Sequence, residues 1–142
     1  IGAMQGDWHA TGGDNLVHKG WVETPEEHIA AADLVISSAG NTTCAQILRA
    51  GKPWIVVPEW RYFDEQLEKA RALGRAGVAL HLDHMPSSAQ AWRRVVDQAL
   101  STHAPEAQKA LISPDAASTA ACWLDRLIPA SPTTIATEGE FA

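Results

Sequence analysis

A short polar segment that follows an apolar run carries the residue types that bind phosphate. The apolar run, residues 34–38, ends in two serines, and Gly40, Thr42 and Thr43 follow it. Glycine lets a backbone turn tightly, and a helix that starts here would direct free N–H groups and the positive end of its dipole toward an anion. The segment therefore predicts a phosphate site, although the two hydroxyls could instead only cap the helix.

A second polar cluster follows a predicted strand, where His81, Asp83 and His84 come close together in sequence. Adjacent loop residues with no further ligand do not make a typical zinc site. The sequence also contains no Walker A, G-x-S-x-G or H-E-x-x-H pattern, so NTPase, hydrolase and zinc-protease functions have no support. We therefore expect no metal and no cofactor.

Apolar runs too short for helices alternate with helical patterns along the chain. Strands are predicted near Leu16 and at residues 34–38, 54–58 and 78–82, and helices at residues 25–32, 41–50, 64–73, 87–100 and 113–127. Continuous apolar runs are typical of strands covered on both faces. The alternation predicts an α/β fold with an open parallel sheet and helices on both faces. The strands at 34–38 and 54–58 are expected to lie side by side.

Residue types that cap helices mark several of the predicted boundaries. Thr24, Pro25 and Glu27 form a capping box, and Ser88 opens a later helix in the same way. Gly51 stands where a C-cap glycine belongs. These signals place a helix directly after the predicted phosphate segment.

The composition describes an ordinary globular domain and excludes several classes of protein. The chain has 142 residues and a net charge of −6, without any basic run, so nucleic-acid binding is not expected. No apolar run approaches the roughly 20 residues that cross a bilayer. Two well-separated cysteines indicate a reducing, cytoplasmic setting. One domain is expected over residues 1–128, followed by a polar tail at 129–142.

Five pieces of the chain, in order and spacing, resemble one known family. They are Gly20 with Trp21, residues 32–43, residues 51–53, Val57 with Pro58, and residues 64–66. Together they resemble the C-terminal, donor-binding domain of GT-B nucleotide-sugar glycosyltransferases, and most closely the bacterial glycosyltransferase family 28 C-terminal domain, over roughly residues 16–82. The plant secondary-product glycosyltransferase signature is more loosely similar. The resemblance implies a Rossmann-like half of a GT-B fold whose first strand would precede Ile1, so the chain is expected to be partial at its N-terminus.

The resemblance implies a nucleotide-binding role for nine residues. The loop around Trp21 would hold the base, with the indole stacked on uracil, unless Trp21 is simply a core or hinge aromatic. The turn at Gly40 would hold the diphosphate, and Gln46 would contact the ribose. The full set is Gly20, Trp21, Val22, Ser38, Gly40, Asn41, Thr42, Thr43 and Gln46.

Two of these positions depart from the family pattern. Ser38 stands where the plant signature has a histidine, so a charged contact to the diphosphate is missing. Gln46 stands where the family usually has a glutamate, and an amide lacks the charge assistance of a carboxylate. On this basis alone, Gln46→Glu is expected to tighten uridine nucleotide binding by about 1 kcal/mol.

The resemblance also implies that Asp64, Glu65 and Gln66 read the sugar hydroxyls. The alternative is that these residues form the solvated first turn of a helix, where acidic side chains are favoured by the dipole. Both interpretations place them after the strand at residues 54–58.

The activity implied by the resemblance is that of an inverting glycosyltransferase, which moves a sugar from a nucleotide diphosphate donor, UDP-linked here, to an acceptor hydroxyl. The chain alone would not be a complete catalyst, because the family's general base and acceptor site lie in an N-terminal domain. Two alternatives stay open. One is a non-catalytic donor-binding subunit with a separate acceptor-binding partner, and the other is a sugar-nucleotide epimerase, whose consecutive glycines and paired glutamates are not found after residue 38.

Overall fold

The computed structural model describes residues 16–60 and 62–128, in which the chain forms six helices and three strands. The helices are α1 (Pro25–Ala31), α2 (Asn41–Ala50), α3 (Glu65–Arg75), α4 (Ala89–Ser101), α5 (Pro105–Ala110) and α6 (Ala116–Leu127). The strands are β1 (Val35–Ser37), β2 (Trp54–Val56) and β3 (Leu80–His81). Two compact units divide the chain: the first ends at Ile112, and the second begins at Ser113 and contains α6. The predicted tail, residues 129–142, lies outside the described residues.

The three strands form one open parallel sheet in the order β1-β2-β3. Val35 lies opposite Trp54, and Ser37 lies opposite Val56. The helix α2 connects β1 to β2, as expected for a parallel pair joined by a crossover. The predicted α/β fold class and the parallel pairing of the two apolar strands are therefore confirmed.

Burial differs between the strands of this sheet. All three residues of β2 are buried, and Ile55 is fully inaccessible, as the continuous apolar run predicts. The prediction of a fully covered strand was wrong for β1, because Ile36 is 42% exposed. Among the described strands, β1 pairs on one side only, and Ile36 lines an open cavity.

The core of the first unit fixes the loop that follows β1. Ala39, Ile47, Val56 and Ala70 are fully buried together, so α2, β2 and α3 all pack around that loop. Close packing of this kind holds backbone positions tightly. The turn predicted to bind phosphate is therefore attached to the packed core of the unit.

Some of the predicted boundaries differ from the structure. No strand forms in the described segment from Leu16 to the start of α1, and α6 begins at Ala116, later than predicted, after an N-cap at Asp115. The capping prediction is confirmed at Ser88, whose hydroxyl accepts from the Ala91 N–H at 3.2 Å. At the start of α1, Thr24 makes no bond to a backbone N–H and instead donates to a Glu27 carboxylate oxygen at 3.2 Å.

The sequence patterns also missed α5. This six-residue helix is too short for an apolar period to show, although Pro105 at its first position is a typical start signal. Its fully buried Gln108 donates from Nε2 to the carbonyl oxygens of Lys52 and Val78. None of the helices in the described residues is long and apolar enough to span a bilayer.

Candidate functional site

The loop between β1 and α2 ends in a helix start with no side-chain cap. Gly40 occupies the N-cap position of α2, and the first helical bond runs from the Cys44 N–H to the Gly40 carbonyl at 2.9 Å. The first N–H groups of a helix have no acceptors within the helix itself. The N-terminus of α2 therefore presents donors, together with the positive end of its dipole, at the predicted phosphate site.

The backbone conformation at this N-cap does not require a glycine. Gly40 has φ −65° and ψ 141°, an extended conformation open to any residue. A Cβ added at Gly40 would meet no atom within 4 Å. The tight turn expected from the sequence is therefore not the reason for glycine here, and the space in front of its Cα is open to an approaching ligand.

Next to this turn lies a cavity of about 440 Å³ between α1, β1 and α2. Five of the nine predicted nucleotide-binding residues line it: Trp21, Val22, Thr42, Thr43 and Gln46. Gly20, which precedes this wall, has φ +64°, a left-handed conformation that favours glycine and turns the chain into the Trp21 loop. The Trp21 side chain is 78% exposed, so it is not a core aromatic. Its flat face is open to a planar ligand.

The other three predicted nucleotide-binding residues lie along the turn and not in the cavity wall. Ser38 accepts at its carbonyl from the Ser37 hydroxyl at 3.0 Å. Gly40 is the N-cap described above, and the exposed Asn41 side chain points to the α3 side of the turn, where it accepts from Lys69. The predicted set is thus divided between a cavity and the adjoining helix start.

Among the residues that the structure describes, those lining this cavity include acidic but no cationic side chains. Glu23 and Glu26 both line it, and Gln46 donates from Nε2 to a Glu26 carboxylate oxygen at 3.3 Å. Sequence reasoning did not select either glutamate, because the Glu26–Gln46 contact joins residues 20 apart on different helices. Carboxylates favour hydroxyl donors over phosphates.

The three predicted sugar-binding residues lie on the other side of Ala39. Gln66 is only 7% exposed, and its Oε1 accepts from the backbone N–H groups of Ala39 at 3.3 Å and Glu59 at 3.1 Å. Asp64 precedes α3 with φ +50° and lines a second cavity of about 520 Å³ together with Glu59. Glu65 is exposed and pairs with Lys69 at 3.0 Å. They therefore adjoin the turn rather than the first cavity.

Lys69 is a further residue at this turn that sequence reasoning missed. Its Nζ donates to the Ala39 carbonyl at 3.2 Å, to the Asn41 side-chain oxygen and to Glu65. Lys69 follows Gln66 by three residues, so both side chains leave the same face of α3. Between them they bind the N–H and the carbonyl of Ala39. A positive charge is thereby held beside the start of α2.

The charge of Lys69 also reaches a buried thiol. Cys44 lies in the first turn of α2, where burial raises the pKa of its thiol and the attraction of Lys69 opposes that rise. We expect Lys69→Met to raise the Cys44 pKa further, because it removes the attraction of a nearby positive charge and leaves the burial of the thiol unchanged. The measurement is the pH dependence of the Cys44 ¹³Cβ chemical shift in a Cys122→Ser background.

Arg71→Met is the matched control for this titration, because it removes a cation of α3 that pairs with Glu68 instead. That control should leave the Cys44 titration unchanged. If Lys69→Met and Arg71→Met shift it equally, Lys69 does not act locally on the start of α2.

The described residues contain no group of three or more histidine, cysteine or acidic side chains that could hold a metal ion. His81 contacts Asp83 at 3.6 Å in the part of the chain described, without a third ligand.

Comparison with known proteins shows which family the chain resembles. Residues 4–121 match the family model described as the glycosyltransferase family 28 C-terminal domain. Similar proteins include UDP-N-acetylglucosamine–N-acetylmuramyl-(pentapeptide) pyrophosphoryl-undecaprenol N-acetylglucosamine transferases. That of Bacillus subtilis is 30% identical over 110 residues, and that of Chlorobium phaeobacteroides is 32% identical over 114 residues. The matches cover 73% and 76% of this chain, respectively, but only 30% of each of those proteins.

A shorter and closer match concerns the protein of the same name from Salinibacter ruber, which is 44% identical over 55 residues, or 38% of this chain and 15% of that protein. Among solved structures, a crystal structure of the glycotransferase of kitacinnamycin superposes with a TM-score of 0.58 at 21% identity. It covers 77% of this chain and 29% of that one, and it supports the fold alone.

Proposed function

Because this chain belongs to the glycosyltransferase family 28 C-terminal domain family, we propose that it binds a nucleotide diphosphate sugar, UDP-linked, and serves sugar transfer to an acceptor hydroxyl. The observation that carries the proposal is the open N-terminus of α2 at Gly40, directly beside the cavity lined by Trp21, Thr43 and Gln46. A nucleotide needs a flat surface for its base, acceptors for its ribose hydroxyls and hydrogen-bond donors for its phosphates, and in this proposal Trp21, Gln46 and the start of α2 supply them.

Each part of the nucleotide-sugar donor would contact a different group of residues in this arrangement. Trp21 would stack on the base, Gln46 would accept from a ribose hydroxyl, and the start of α2 would bind the diphosphate. Asp64, Glu65 and Gln66 would face the sugar from beyond Ala39. Lys69, whose ammonium group already donates to Ala39, Asn41 and Glu65, would supply positive charge beside the turn without contacting the diphosphate itself.

In this proposal the chain acts mainly on the leaving group. Transfer breaks the bond between the sugar C1 and the diphosphate oxygen, and the acceptor oxygen forms the new bond to C1. Negative charge then develops on the departing diphosphate, where N–H donors and a fixed cation stabilise it more than they stabilise the bound donor. The acceptor proton leaves to a general base.

The acceptor side of the reaction is assigned to residues outside this chain. The chain spans about a third or less of the length of the curated relatives that it matches. We therefore place the general base and the acceptor site in an N-terminal domain of the same protein or in a separate acceptor-binding subunit. This division also accommodates a donor-binding subunit that is inactive by itself.

Calorimetric titration of the purified protein with UDP tests the proposal. We expect saturable binding, and Thr43→Ala should weaken it by about 1 kcal/mol, the typical value of one hydroxyl-to-phosphate hydrogen bond. Thr102→Ala is the control, since the Thr102 hydroxyl bonds within α4 to the Gln98 carbonyl. Absence of UDP binding to a folded protein would contradict the proposed function.

A further inference from the structure

Glu26 is a second hydroxyl-binding residue of the nucleotide site, we propose, and it acts together with Gln46 on the ribose. The proposal rests on the proposed function and adds to it a residue from a different helix. Neither the family resemblance nor the sequence pattern pointed to this position. The inference comes from the hydrogen bond between the two side chains and from their shared place in the cavity wall.

The hydrogen bond fixes which atoms remain available to a ligand. A carboxylate only accepts, so the Gln46 group that faces Glu26 must be its NH₂. The Gln46 Oε1 is then directed away from Glu26, and the second Glu26 carboxylate oxygen is not used by Gln46. The pair therefore offers two acceptor oxygens, one of them charged, on neighbouring helices.

Two acceptors suit the two hydroxyl donors of a ribose and do not suit a phosphate. Glu23 adds further negative charge to the same wall, and neither lysine nor arginine lines this cavity in the described residues. The cation that contacts the adjoining turn, Lys69, binds Ala39 and Asn41. This charge distribution orients the ligand with its ribose over α1 and its diphosphate at the start of α2.

The pairing also changes what a glutamate at position 46 would do. The sequence alone suggested that Gln46→Glu restores the family's carboxylate and tightens binding. With Glu26 in hydrogen-bond contact with residue 46, this substitution instead sets two carboxylates against each other. We now expect Gln46→Glu to weaken UDP binding. The reciprocal double substitution, Glu26→Gln with Gln46→Glu, should recover it, because one acid and one amide are again paired.

Paired titrations with UDP and 2′,3′-dideoxy-UDP test the role of Glu26. We expect Glu26→Ala to weaken UDP binding about tenfold, as fits the loss of a hydrogen bond to a charged acceptor, and to leave the dideoxy analogue unchanged. Glu26→Gln keeps the contact to Gln46 but loses the negative charge. It should weaken UDP binding by less than Glu26→Ala does, and it should leave binding of the dideoxy analogue unchanged.

The neighbouring Glu27 supplies the matched control. Glu27→Ala removes the same charge from the same turn of α1, but Glu27 accepts from Thr24 and does not line the cavity. It should change neither titration. Equal losses for both nucleotides in Glu26→Ala, or no loss for either, would show that Glu26 only ties α1 to α2, and would overturn the inference while leaving the proposed function intact. If the wild type fails to bind UDP, both fall together.

Discussion

Gly40→Ala is expected to weaken UDP binding tenfold or more, by roughly 1.4–3 kcal/mol, while the fold stays intact. The methyl group would enter open space at the α2 N-terminus, where no atom of the described residues other than Gly40 and its two chain neighbours lies within 4 Å. In the proposed complex a phosphate fills that space. The added methyl would then push the phosphate away from the helix donors, whose interaction falls steeply with distance.

The free energy of unfolding should change little in the same variant. Gly40 has φ −65°, so alanine fits without strain. Reduced freedom of the unfolded chain stabilises the variant by about 0.4–1 kcal/mol, while alanine is a poorer N-cap than glycine by a comparable amount. Because these two effects oppose each other, a binding loss cannot be attributed to unfolding. Urea denaturation and UDP calorimetry on the same preparation separate the two quantities.

Gly51, at the opposite end of α2, provides a control in which stability should change and UDP binding should not. Its φ of +63° is a left-handed conformation, so Gly51→Ala should lower the free energy of unfolding by about 1–2 kcal/mol. Its binding of UDP should be unchanged, because it lies a full helix away from the turn. If Gly40→Ala binds UDP like the wild type, the diphosphate does not sit against this turn.

The parallel sheet could be predicted because the information for it is local. A short apolar run such as Trp54 to Val56 cannot form an amphipathic surface helix, and a helix follows each run. Long-range pairing then follows from the handedness of the connection. The same reasoning failed for the exposure of Ile36, because exposure depends on what covers a strand and not on its own residues.

The contacts at the site could not be predicted from the sequence in the same way. Glu26 and Lys69 read as ordinary surface charges of amphipathic helices, and nothing in their local sequence indicates that one faces Gln46 and the other Ala39. Such contacts depend on how α1 and α3 pack against α2. The resemblance identified Gln66 as a candidate site residue, but it could not show which atoms of that side chain form hydrogen bonds within the protein.

Among the residues of the candidate site, Gln66 is the one whose contacts within the fold have the largest expected effect on stability. Its Oε1 accepts from the N–H groups of Ala39 and Glu59, which follow β1 and β2 respectively. Gln66→Leu would leave both N–H groups without this acceptor beside a buried side chain. Loss of the acceptor costs about 1–3 kcal/mol at the buried Ala39 N–H and about 1 kcal/mol at the part-buried Glu59 N–H, so the free energy of unfolding should fall by roughly 2–4 kcal/mol in urea denaturation. Gln98→Leu, on an exposed face of α4, should change it by less than about 0.5 kcal/mol.

Gln66→Glu separates a structural role from the predicted sugar-binding role. A carboxylate still accepts from both N–H groups, with Lys69 one turn away on the same helix, so most of the stability should remain. Both substitutions remove the Nε2 donor, however, and a sugar hydroxyl would lose that donor in either variant. If Gln66 reads the sugar, Gln66→Glu should lose affinity for UDP-N-acetylglucosamine but not for UDP. If Gln66 only joins the two loops, Gln66→Glu should bind both ligands like the wild type, and only Gln66→Leu should weaken both, because the turn at Gly40 would lose its support.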